Sequence, residues 1–129
     1  MKKVKVQDII DILDSMGLFV NNDRDYLEVE YYLNTGGTYY FVLGKDNILN
    51  DIRDAYTNFD MDEYVEEWVI AKHNGCKGVP AVRYLLDDAD DIDDILKDIL
   101  EELIQFERDY KEDEVEDEDE EYIWLGFSY

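Results

Sequence analysis

YLEVEYYLNTGGTYYFVL, Tyr26–Leu43, decides the fold class. Leu27, Val29, Tyr31 and Leu33 alternate with Glu28 and Glu30, the two-residue period of a strand that buries one face. Asn34-Thr35-Gly36-Gly37 supplies a turn, and the following TYYFVL is rich in the aromatic and β-branched residues that suit a pleated surface. The stretch predicts a β-hairpin.

On either side of it the period changes to that of helices. Ile9, Ile12, Leu13 and Met16 keep helical spacing and stop at Gly17, which suits a left-handed helix terminus. After the hairpin, Asp46 or Asn47 can cap a helix carrying Ile48, Leu49, Ile52, Ala55 and Tyr56. Asp60 with Glu63 three residues on resembles a capping box, followed by Tyr64, Val65, Trp68 and Val69 on one face and a stop at Asn74-Gly75. Gly78-Val79-Pro80 breaks the chain, and its only proline suits the first turn of the next helix. That helix is the longest. Leu85, Ala89, Ile92, Leu96, Ile99 and Leu103 form an apolar stripe along it that needs a packing partner. The expected fold is α+β: a hairpin packed on several helices, one of them long, acidic and amphipathic.

With 129 residues, 46% hydrophobic, the chain suffices for one domain that buries roughly two thirds of the surface its unfolded form exposes. Residues 1–110 are expected to form that domain and 111–121 an acidic linker, a like-charge block of the kind usually disordered. In 122–129, Tyr122, Ile123, Trp124, Leu125, Phe127 and Tyr129 are too apolar to stay idle in water. They are expected to return to the sheet as a strand, the alternative being a partner's groove.

Thirty-five Asp and Glu face twelve Lys and Arg, a net charge of −23. This is far beyond the magnitude of about 2 to 8 that keeps a small domain soluble, and it strains the compact state by self-repulsion. It argues for a basic partner and against direct contact with nucleic acid or an anionic membrane. The charge is also polarised: Leu85–Tyr122 holds twenty acids against Lys97, Arg108 and Lys111, a net 17 of the 23. Even spreading, as expected of a protein kept soluble at high salt, is not what the chain has.

Opposite the apolar stripe, 100° spacing places Asp87, Asp91, Asp94, Asp98, Glu101 and Gln105, with Asp90 and Glu102 on the flanks. Asp87–Glu102 carries nine carboxylates over about 22 Å, roughly one per 2.5 Å of axis, and duplex DNA carries one per about 1.7 Å, or 3.4 Å per strand. An ordinary acidic helix is a solvated face. Here the i, i+4 neighbours Asp87/Asp91, Asp90/Asp94 and Asp94/Asp98 pair acid with acid, which selection for helix stability would have interleaved with lysine.

Other chemistry finds little footing. His73 and Cys76 make one H-x-x-C pair without the second pair a zinc site needs. In NNDRDYLEVEYY, residues 21–32, Tyr26 stands where a calcium loop needs glycine and Tyr32 where it needs glutamate. Phosphate-loop and nucleophile-elbow motifs are missing, and one histidine leaves little for a nucleophile and base. No enzyme activity, metal or cofactor is expected. A single cysteine rules out an intrachain disulfide, Asp8 and Asp11 interrupt any leader-like apolar run, and no apolar stretch nears the roughly 20 residues of a membrane span, so a cytoplasmic place in a bacterial cell is expected. Among eleven tyrosines, Tyr32 and Tyr40 are candidates for rigid contact area beside the acids, the plainer reading being a sheet covered by helices on one side.

DDADDIDDILKDILEEL and KEDEVEDEDEE together resemble, in charge layout, the acidic DNA-mimic inhibitors of the anti-restriction and anti-CRISPR type that phages and mobile elements direct at host defence. Separately, Asn58–Leu103 is similar to uncharacterised small proteins of Firmicutes and their phages. The first resemblance implies a stoichiometric inhibitor that occupies the DNA channel of a basic nuclease, a CRISPR effector foremost. Its contact residues would be Asp87, Asp90, Asp91, Asp94, Asp98, Glu101 and Glu102, with Tyr32, Tyr40 and the tail acids Glu116, Asp117, Glu118 and Asp119. The alternative is a non-inhibitory acidic adaptor or chaperone-like module for a basic host protein.

Overall fold

Leu27 and Val29 on one strand, Leu33 just beyond its end, and Phe41 and Leu43 on the next strand are all buried, as alternation requires. The computed structural model describes residues 2–111 and 118–127. Along the chain run β1 (Lys2–Lys5), α1 (Val6–Ser15), β2 (Phe19–Asn22), β3 (Tyr26–Tyr32), β4 (Thr38–Gly44), α2 (Ile48–Asn58), α3 (Met61–His73), α4 (Val82–Asp109) and β5 (Tyr122–Leu125). The class is α+β, with the hairpin and the long helix where expected.

β3 and β4 pair antiparallel from Tyr26↔Gly44 to Tyr32↔Thr38. The turn closes through Leu33 N–H to Gly37 O at 2.9 Å, and Gly36 takes φ +92°, a conformation that a side chain would strain. β2, four residues that sequence periodicity did not reveal, adds a third strand on the far side of β3. α1 ends as expected at Gly17, φ +84°.

The C-terminal strand forms but does not extend the hairpin. β5 pairs antiparallel with β1, from Lys2↔Leu125 to Lys5↔Tyr122, in a separate two-stranded sheet. Val4, Ile123 and Leu125 face the core, while Lys3 lies 5.8 Å from the Tyr122 and Trp124 ring centres on the outer side. A four-residue strand with three lysines shows no periodicity, so β1 was not legible as a partner. Val6 N–H, a donor left over at the start of α1, is satisfied by Glu121 O at 2.9 Å.

α4 is about 42 Å long at 1.5 Å per residue. Its stripe is buried throughout, Leu85 to Leu103 at 1% exposure or less. Ile92, Leu96, Ile99 and Leu103 join the main core with α1, α2 and the sheet, whereas Leu85 and Ala89 join a smaller cluster under Val65 of α3. Pro80 is not in the first turn: Ala81, extended at ψ 152°, is the cap, and the proline precedes it. On α3, Asp60 Oδ1 accepts from Asp62 and Glu63 N–H, as its cap position implies. Of that helix's apolar face only Val65 is buried, and Trp68 and Val69 are more than a third exposed. Asn47 caps α2 by position, but its side chain accepts from Asn50 Nδ2 instead of the backbone.

Lys45, just beyond β4, is buried and donates to both carboxylate oxygens of Glu121, at 2.5 and 2.9 Å. This contact fastens the start of β5 to the end of the hairpin. Glu121→Ala leaves the ammonium buried without its acceptor and is expected to cost about 2 kcal/mol in denaturant unfolding, below the fully buried case because Glu121 is half exposed. Lys45→Met removes the charge itself and is expected to cost about 1 kcal/mol or less.

Candidate functional site: the acidic face of the long helix

With the stripe of α4 fixed on the core, its opposite side faces solvent. Asp87, Asp90, Asp94, Asp98, Glu101 and Glu102 are exposed, and Lys97 is the only base among them. Among the described residues, none of the α4 acids forms an ion pair.

Three further carboxylates of this helix are drawn inward. Asp91 is half-buried and accepts from Asn34 Nδ2 at 3.3 Å, and Asp93 is half-buried. Asp88 is 1% exposed and accepts the Thr35 hydroxyl at 2.5 Å through Oδ2. The hairpin turn thus sits on the N-terminal half of α4 through Asn34 and Thr35. Six acids remain exposed over about 22 Å, five intervals averaging about 4.5 Å, wider than the 3.4 Å of one DNA strand and far from the 1.7 Å of both.

Asp91 has its carboxyl raised above the ordinary carboxylate value, first by burial and then by Asp88, Asp90, Asp87 and Asp94. Its folded-state affinity for a proton therefore exceeds the unfolded-state one. The resulting penalty is fully present above the raised value and is relieved as pH falls toward the ordinary one. Thermal unfolding should accordingly move to higher temperature as pH falls from neutral toward the ordinary carboxylate range, about 4. Asp91→Asn should raise the neutral-pH melting temperature and flatten that rise.

Tyr32 and Tyr40 are each about half exposed, but they lie on the outer face of the hairpin with Glu28, Glu30 and Phe19, whose ring meets that of Tyr32 edge-on at 4.8 Å. The inner face carries the residues that pack with α4, so these two tyrosines and the acidic helix face are on opposite sides of the sheet. The tyrosine that adjoins the acids is Tyr31, whose phenol is raised by burial and then by Asp91, Asp88 and Asp94. Period-2 alternation already places Tyr31 with Leu27, Val29 and Leu33, and that was the available signal. Glu118 and Asp119 are exposed in the turn before β5, while Glu116 and Asp117 lie outside the described residues.

A second acidic surface escaped sequence reasoning. An open cleft of about 620 Å³ between β4, α2 and α3 is lined by Asp51, Asp54, Asp60, Glu63 and Glu67 around Phe59. Glu63 and Glu67 are i, i+4 on α3 and Asp51 and Asp54 are i, i+3 on α2, spacings visible in the chain, but only the packing of the two helices faces them together. Among the described residues no group of three or more His, Cys, Asp or Glu converges as metal ligands, and no helix is long and apolar enough to cross a membrane. Compared with known proteins, the chain matches no family model, no curated protein and no solved structure.

Proposed function

We propose that the protein binds a basic, DNA-binding nuclease of a host defence system, a CRISPR effector foremost, and blocks it by presenting α4 in place of a phosphate backbone. One observation carries this: six exposed carboxylates without an ion-pair partner among the described residues recur along one helix at about 4.5 Å on average, the same order as the 3.4 Å between a DNA strand's phosphates. A groove built for DNA holds lysine and arginine at that spacing, and α4 releases its counterions in the same salt-dependent way. The repulsion between neighbouring acids favours the reading further, since a helix kept only for stability gains from interleaved bases. The cleft between α2 and α3 adds acid on another side, so a partner that wraps the domain finds charge beyond α4.

Capture from a bacterial lysate on the immobilised protein, washed at rising salt and challenged with duplex DNA, tests this. Recovery of a nuclease that salt weakens steeply and DNA displaces is the expected result. A partner retained in the presence of excess DNA would sink the mimicry and favour the acidic adaptor.

A further inference from the structure

Asp88 spends only one of its two oxygens within the fold. Oδ2 accepts the Thr35 hydroxyl, and Oδ1 is buried with no hydrogen-bond partner among the described residues. A buried acceptor left unpaired is uncommon in a folded protein and points to a missing donor. Asp88 also lines a cavity of about 150 Å³ between the hairpin turn, α3 and the start of α4, walled by Tyr39, Tyr64 and Trp68 and closed below by Leu85. It is the only charged residue of that lining. Trp68, part of the same lining, is more than a third exposed.

We propose that this cavity receives one arginine side chain of the partner, which rests on the proposed function for the arginine's owner. A cavity of this size holds a ring the size of benzene, so a planar guanidinium fits. Tyrosine and tryptophan faces attract a cation, and guanidinium, weakly hydrated and flat, loses less than ammonium on leaving water and stacks on the rings. One of its N–H groups meets Oδ1, with the others directed along the aromatic wall and out toward solvent. The acidic face supplies attraction along the length of α4, and this pocket fixes register at its N-terminal end.

The test uses the isolated protein with ethylguanidinium as the probe and propylammonium as the comparison, at constant ionic strength, read by two-dimensional NMR. The Trp68 indole signal should shift and saturate with ethylguanidinium, the exposed Trp124 indole should not, and Asp88→Asn should weaken the binding at least tenfold. Should Asp88→Asn fail to fold, Trp68→Leu, followed through the Thr35 amide, is expected to weaken binding by about the same factor. Shifts that never saturate, that appear equally at Trp124, or that survive both substitutions would overturn the pocket. Equal binding of propylammonium would overturn the assignment to arginine. No partner is present in this measurement, so its failure is distinct from a failure of DNA to displace a captured nuclease.

Discussion

Reversing charge at Asp87, Asp94 and Glu101 together, each to lysine, is expected to stabilise the fold while weakening partner binding by well over tenfold. The three positions are spaced by seven, so they run along the middle of the exposed side of α4, and all are exposed. The new lysine at 94 gains Asp90, Asp91 and Asp98 as i, i−4, i−3 and i, i+4 neighbours but meets Lys97, the one at 87 gains Asp90 and Asp91 but meets Arg83, and the one at 101 gains Asp98 but meets Lys97. At roughly 0.2–0.5 kcal/mol for each like-charge pair relieved and each ion pair gained, the net is about 1 kcal/mol of added stability. Binding moves the other way on the proposed reading, because three charges are reversed, a change of six units, on a surface whose affinity would come from displaced counterions. Thermal unfolding and a salt-series binding assay on the same sample check both signs. If affinity stayed the same while stability rose, α4 would be an ordinary solvated helix and the contact would lie elsewhere on the domain.

Leu96→Ala is expected to cost the protein about 3 kcal/mol, within the 2–5 kcal/mol seen when a buried leucine is truncated. Leu96 is fully buried midway along α4, within the cluster that unites α1, α2 and the three-stranded sheet. Whole-domain stabilities run to about 5–15 kcal/mol, and the self-repulsion of 23 excess negative charges draws on that margin, so the variant should be partly unfolded at low salt and recover as salt is added. Ala89, equally buried, belongs to the smaller cluster under Val65. Ala89→Gly should cost about 1 kcal/mol, chiefly as helix propensity. Denaturant melts of both variants at two salt concentrations separate core loss from charge repulsion.

How legible these features were in the chain depended on whether a single element sufficed to determine them. The alternation of Leu27, Val29, Tyr31 and Leu33 and the 4-3-4-3-4 stripe from Leu85 to Leu103 each belong to one element, and the structure has both. β1 and β2 were not legible, because KKVK and FVNN are too short to show a period and depend on β5 and β3 to be strands at all. Asp88 sits about 60° from the centre of the stripe, a flank whose fate depends on what packs there; the hairpin turn does, and it takes the carboxylate inside. The Lys45 and Glu121 contact joins residues 76 apart, a separation that no local pattern spans. Of the acids expected on the surface of α4, Asp91 alone is half withdrawn, for the same reason: Asn34 reaches it from the turn.

The pairing of Lys2–Lys5 with Tyr122–Leu125 bears on how the chain comes off the ribosome. The first strand has nothing to pair with until the residues between it and Tyr122 are made, on the order of ten seconds later at about 5–20 residues per second. Through that interval the N-terminal lysines and the first amide of α1 stay in water, while the hairpin, whose contacts are close in sequence, can already form. Joining such distant segments carries a large loop-closure cost, so the two-stranded sheet should be among the last parts to assemble. Substitutions in β5 should then leave the folding rate nearly unchanged and appear as faster unfolding.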